Sequence, residues 1–93
     1  MTFDEAETIG AEALGFIAGQ PATFERFCTA AGTNPQAIAS QVGERDTLAA
    51  VLRFLVDDDS LLLSFSAARG HASTSIMRAH HTLAGDLAAH DDH

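Results

Sequence analysis

The 93-residue chain has no lysine, tyrosine or tryptophan, and one cysteine, Cys28. A lone thiol permits no internal disulfide, so burial must hold the fold together, and a reducing compartment is expected. The only cations outside histidine are five scattered arginines, at positions 26, 45, 53, 69 and 78, against a formal net charge of −8. That balance excludes a phosphate-backbone binder, and without Tyr or Trp the stacking surfaces of single-strand binders are confined to phenylalanine. Long apolar runs are missing as well. Leu61–Leu62–Leu63 is far too short to span a bilayer, and a membrane-surface helix would carry Lys or Arg along its polar side. MTFDEAETIG at the N-terminus is acidic and lacks the basic-then-apolar plan of a signal peptide, so the expected location is cytoplasmic. No segment alternates β-branched or aromatic residues with polar ones, which removes strands from the reading.

What is present is helical spacing with its punctuation. Thr2-Phe3-Asp4-Glu5 has the form of a capping box, and Ala6, Ile9, Ala13, Leu14 and Ile17 follow at helical intervals. Pro21 suits a first helical position, Gly32 a C-terminal stop, and Asn34-Pro35 a cap followed by a first-turn proline. Further stripes run through Leu48, Val51, Leu52 and Leu55, then Leu61, Leu62, Phe65 and Ala68, then Ile76, Met77, His80, Leu83, Ala84 and Leu87. The expectation is an all-α fold of six short helices, over residues 3–18, 21–31, 35–42, 45–57, 59–69 and 73–84. Ile38 and Val42 are expected to form the buried edge of the third. Residues 1–85 form one domain in this reading, and 86–93 an acidic, histidine-containing tail expected to be flexible.

The two halves also resemble each other. At an offset of 38 residues, Leu14, Phe16, Phe27, Ala30, Gly32 and Ile38 meet Leu52, Phe54, Phe65, Ala68, Gly70 and Ile76. This register predicts two copies of a three-helix unit packed into one orthogonal bundle, each copy too small to close its own core.

The runs AEALGFIAGQPATFERFCTAAGTNPQAI and LAAVLRFLVDDDSLLLSFSAARG resemble a family of small uncharacterised alphaproteobacterial proteins, a domain of unknown function. Asp58 and Asp59 take its Asp-Glu pair, Leu61–Leu63 its leucines, Phe65 its phenylalanine and Pro35 its cap proline. The resemblance covers about Glu12 to Leu83. It departs after Gly70, where His71-Ala72-Ser73 replaces a Leu-Asp-Pro-like cap, and at Thr33, where the family has leucine. It implies an all-helical fold in a bacterial cytoplasm and supplies no activity.

Chemistry-bearing residues are few. Asp57, Asp58 and Asp59 fall on the turn between two helices, where Asp58 can cap the following helix and Asp59 can complement its dipole. Partner contact is their other reading, since a calcium loop needs ligands spread over a longer segment with a glycine turn. Cys28 reads as a packing residue. His90, Asp91 and His93 are weak metal candidates, two imidazoles and a carboxylate near one helix end. Glu7 and Glu12 lie off the stripe of the first helix and are candidates for steering a partner. No catalytic residue and no cofactor are assigned. The function expected from these features is a non-catalytic module binding a protein partner, with no nucleic acid and no membrane involved and with monomer against homodimer left open. The alternatives are a weak metal binder acting through the C-terminal histidines and a small enzyme whose site assembles from scattered residues.

Overall fold

The computed structural model describes the backbone of residues 1–91 and the side-chain surroundings of residues 1–85. Six helices follow in order: α1 (Phe3–Ala18), α2 (Pro21–Ala31), α3 (Pro35–Ser40), α4 (Arg45–Val56), α5 (Asp59–Arg69) and α6 (Ser73–Asp91). Among the described residues there is no strand. The ends are set by local chemistry. The Thr2 hydroxyl accepts the Glu5 N–H at 3.1 Å, and Asn34 Oδ1 accepts that of Ala37 at 2.9 Å. Gly32 stands at φ 67°, so that its own N–H reaches Thr29 O and the Thr33 N–H reaches Cys28 O, a Schellman closure of α2. Gly70 closes α5 at φ 71°, its N–H bonded to Ser66 O.

Helix α4 stops one residue before the expected end, at Val56, and two other helix ends differ by more. Helix α3 stops at Ser40, because Gln41 leaves helical geometry at φ −121° and its N–H closes a tight turn on Ile38 O. Val42 therefore lies outside the helix and is 51% exposed, not part of a buried edge. Towards the other end of the sequence, α6 continues past the expected end at Ala84 to Asp91.

The core is built on α1, α4 and α6. Ala6, Ile9, Ala13, Leu14 and Ile17 face Leu48, Val51, Leu52 and Leu55, and Ile76, Ala79 and Leu83 close the third side. Full burial of side chains such as Ile17 or Leu52 stabilises by roughly 1.5–3 kcal/mol each. Helices α2 and α5 flank this centre, α2 packing on α1 and α4, and α5 on α4, α6 and α1. Phe27 and Phe65 are their buried anchors.

The turns of the two aligned segments follow the same backbone path. Gly19 (φ −76°, ψ −3°) corresponds to Asp57 (−78°, −7°), and Gln20 (−124°, 94°) to Asp58 (−128°, 97°). Helix α6 departs from this correspondence, because it packs along both α1 and α4, whereas the short α3 does not.

Helices α1 and α4 lie close at Gly10, where an added Cβ would be 3.0 Å from Leu48 Cβ, while a Cβ at Gly15 would meet nothing within 4 Å. Gly15→Ala is expected to raise stability by about 0.5–1 kcal/mol through helix propensity alone. Gly10→Ala carries the same gain but must push α4 away, an overpacking cost of about 1–3 kcal/mol. Urea denaturation should therefore give Gly10→Ala a midpoint below that of Gly15→Ala. Equal gains from both would show slack between α1 and α4.

Candidate interaction groove

The three aspartates divide their work along one turn. Asp57 ends α4, its N–H donating to Arg53 O, and the Asp58 N–H donates to Leu55 O. Asp58 is the N-cap of α5, its Oδ1 accepting the Leu61 N–H at 3.1 Å, and Asp59 lies in the first turn, where a negative charge opposes the helix dipole. Their outer faces carry exposed ion pairs, Asp57 with Arg53 at 3.6 Å and Asp58 with Arg26 at 3.7 Å, the kind that contributes little by itself.

Beside this turn runs a groove between α2 and α4. Phe27, Ala30 and Ala31 form one wall, and Ala50, Arg53, Phe54 and Asp57 the other, around a cavity of about 300 Å³. The Phe27 and Phe54 rings meet edge-on at 5.5 Å, and the Arg26 guanidinium lies over Phe54 at 5.8 Å. A second cavity of about 170 Å³ continues past Phe27, Ala31 and Ala50 to Thr33, Ile38, Asp46 and Thr47. The Thr47 hydroxyl there donates to Gln41 Oε1 at 3.4 Å. Together the two cavities follow α4 from Asp46 to Asp57, about 16 Å at the helical rise per residue. The groove exists because α2 has few large side chains on this side: Ala30 and Ala31 are exposed where a Leu would have closed the gap.

Glu7 and Glu12 are not the unengaged acids that the first-helix pattern implies. Glu7 Oε1 accepts Arg45 Nε–H at 2.9 Å, tying α1 to α4, and Arg45 also covers the Phe3 ring at 4.5 Å. Glu12 Oε2 lies 2.7 Å from His71 Nε2, tying α1 to the α5–α6 linker. Both carboxylates sit at the edge of the apolar stripe, close enough to neighbouring elements to be consumed by packing. Charge reversal at either position thus removes a tertiary contact as well as a surface charge.

The remaining candidates separate. Cys28 is buried, 5% exposed, facing the core from α2. His80 is half-buried on α6, and burial, then His81 and Arg53, hold its imidazole below the ordinary histidine range against the opposing pull of Asp57. The His90, Asp91 and His93 side chains lie outside the described residues. Among the described residues no three His, Cys, Asp or Glu side chains converge as metal ligands. No described helix is long and apolar enough to cross a membrane. Reading stripes alone missed the groove residues Ala50, Arg53 and Phe54 as a site. The available signal was a run of small residues on two helices, Ala30-Ala31 and Ala49-Ala50.

A family model described as protein of unknown function (DUF3572) matches residues 3–86. No curated protein and no solved structure shows significant similarity to the chain.

Two outcomes follow from these contacts. Asp58→Ala should cost about 1 kcal/mol, as lost N-caps do, while Asp57→Ala should stay within about 0.5 kcal/mol of wild type in chemical denaturation. A metal-dependent rise in melting temperature that vanished in Asp58→Ala would identify ligands instead of a cap. For His80, the lowered value means that the unfolded chain takes up its proton first as pH falls. Stability linked to this group is thus fully present above the ordinary histidine value and is lost as pH drops through the lower folded value. The melting temperature of His80→Gln should fall less steeply than that of wild type between pH 7 and pH 5, and parallel curves would contradict this.

Proposed function

We propose that this chain, which belongs to the DUF3572 family of proteins of unknown function, is a non-catalytic module that docks a helix of a protein partner between α2 and α4. The α2–α4 groove carries the reading. Its floor is made of alanine methyl groups, which let a visiting helix approach closely, and its two phenylalanines offer apolar surface for an anchor residue. Three helical turns fit its length of about 16 Å. Arg53 and Asp57 at one end and Asp46 at the other supply charges of both signs that fix orientation more than affinity. The net charge of −8 favours an occupant with a basic or mixed polar side. Three groups with catalytic potential are otherwise engaged, Cys28 by burial and Glu12 with His71 by their mutual contact. The reading places the protein in a cytoplasm, where its single thiol stays reduced.

Ala30→Arg introduces a long cation into the groove from an exposed position and leaves the core untouched. Ala67→Arg makes the same change on the exposed face of α5. A protein captured from native cells by the wild type and by Ala67→Arg should be retained at least about 10-fold more weakly by Ala30→Arg, as a clash at the centre of a docking site produces. Equal retention by all three would place binding elsewhere.

A further inference from the structure

The two ends of the α2–α4 groove differ in charge balance. At the α4–α5 turn the acids are matched, Asp57 by Arg53 and Asp58 by Arg26. At the opposite end α2 terminates, and its last turn holds no basic residue to offset the negative end of the helix dipole. Among the described residues no backbone N–H reaches the carbonyls of Ala30 and Ala31. Asp46 lines the cavity at this end; it is exposed and, among the described residues, takes part in no ion pair. Its Oδ1 accepts the Thr47 N–H at 2.9 Å, which uses one of its two oxygens, and a carboxylate accepts several hydrogen bonds at once. One end of the groove is thus neutral in sum and the other negative.

The cavity of about 170 Å³ at the negative end has two kinds of wall. Phe27, Ala31, Ile38 and Ala50 are apolar. Thr33, Gln41, Asp46 and Thr47 bring a carboxylate, an amide oxygen and two hydroxyls as acceptors. Such a lining suits a side chain with an apolar stem and a cationic head. A guanidinium uses it better than an ammonium, because its planar N–H donors serve several acceptors and its face stacks on an aromatic ring. That stacking occurs twice elsewhere in the molecule, Arg45 over Phe3 at 4.5 Å and Arg26 over Phe54 at 5.8 Å. Phe27 offers its ring inside the cavity, and the last carbonyls of α2 are of the kind that basic side chains bind. We propose that this cavity is an arginine pocket, taking an arginine side chain from the docked helix of the protein partner. The pocket rests on the docking reading and names the residue that orients the bound helix, whose basic end lies at Asp46.

The probe is N-acetyl-L-arginine amide, titrated at constant pH and ionic strength into the ¹⁵N-labelled full chain. Saturable amide shifts centred on Thr33, Gln41, Asp46, Thr47 and Ala50 are expected. The citrulline analogue has nearly the same shape without the charge and should bind several-fold more weakly. Asp46→Asn keeps an oxygen for the Thr47 N–H, so the start of α4 is preserved, and it should weaken the arginine probe several-fold. Shifts that never saturate, that spread over the surface acids, or that are as strong with citrulline would overturn the inference. So would an Asp46→Asn chain that binds the arginine probe as the wild type does. Should that variant fail to fold, the citrulline comparison on the wild-type chain decides alone. The docking reading fails separately. Loss of the partner in Ala30→Arg, with no saturable site for the arginine probe, keeps the groove and rejects the pocket. A saturable site there, with partner retention unaffected by Ala30→Arg, keeps the pocket and rejects the groove as the docking surface.

Discussion

Helices α1 and α4 approach so closely at Gly10 that one added methyl group would sit 3.0 Å from Leu48 Cβ. Interiors are packed too densely to absorb such a shift freely, so this contact limits how a larger residue could fit between the two central helices. Other contacts take their position from it. The Glu7–Arg45 pair lies beside it, and the leucine and isoleucine faces below it present a continuous surface to Ile76, Ala79 and Leu83 of α6. Gly10 pays for that closeness in helix propensity, about 1 kcal/mol relative to alanine.

The flanking helices are held less strongly, and the site follows from this. Helix α2 buries only Phe27 and Cys28 fully, whereas α4 buries six residues, Thr47 among them. With exposed alanines lining the groove, α2 leans on the centre through buried Phe27 and half-buried Phe24 and leaves a gap beside them. A groove whose wall is lightly anchored can adjust to a visitor at small cost, since elements with little buried apolar surface open at low free energy. Beyond the C-terminal end of α5, His71 lies near the Phe65 ring and is fastened to α1 by Glu12.

Much of this architecture was legible in the sequence, because helix ends are local chemistry. Thr2, Pro21, Asn34 and Asp58 open helices, and Gly32 and Gly70 close them, through groups within a few residues, and all six expected helix starts fall on the observed residue. Burial was legible where the stripe was unambiguous, as at Leu52 and Phe65, and failed at Val42, whose fate depended on where α3 stopped. What the sequence conceals is non-local. Glu12 and His71 stand 59 residues apart, and no pattern within α1 distinguishes a carboxylate facing water from one facing a distant linker. Residues 38 apart do meet at two places, Glu7 against Arg45 and Gly10 against Leu48, complementary in charge and in size.

Native-state hydrogen exchange reads the division between a tight centre and a lightly held wall directly. Amides of Leu14, Ile17, Leu52 and Leu55 should exchange only through global unfolding. Those of Phe27 and Cys28 should exchange at least about 10-fold faster through opening of α2 alone, a gap of roughly 1.4 kcal/mol. Protection in α2 equal to that in α4, with the same denaturant dependence, would contradict a centre built on α1 and α4 with a yielding groove beside it.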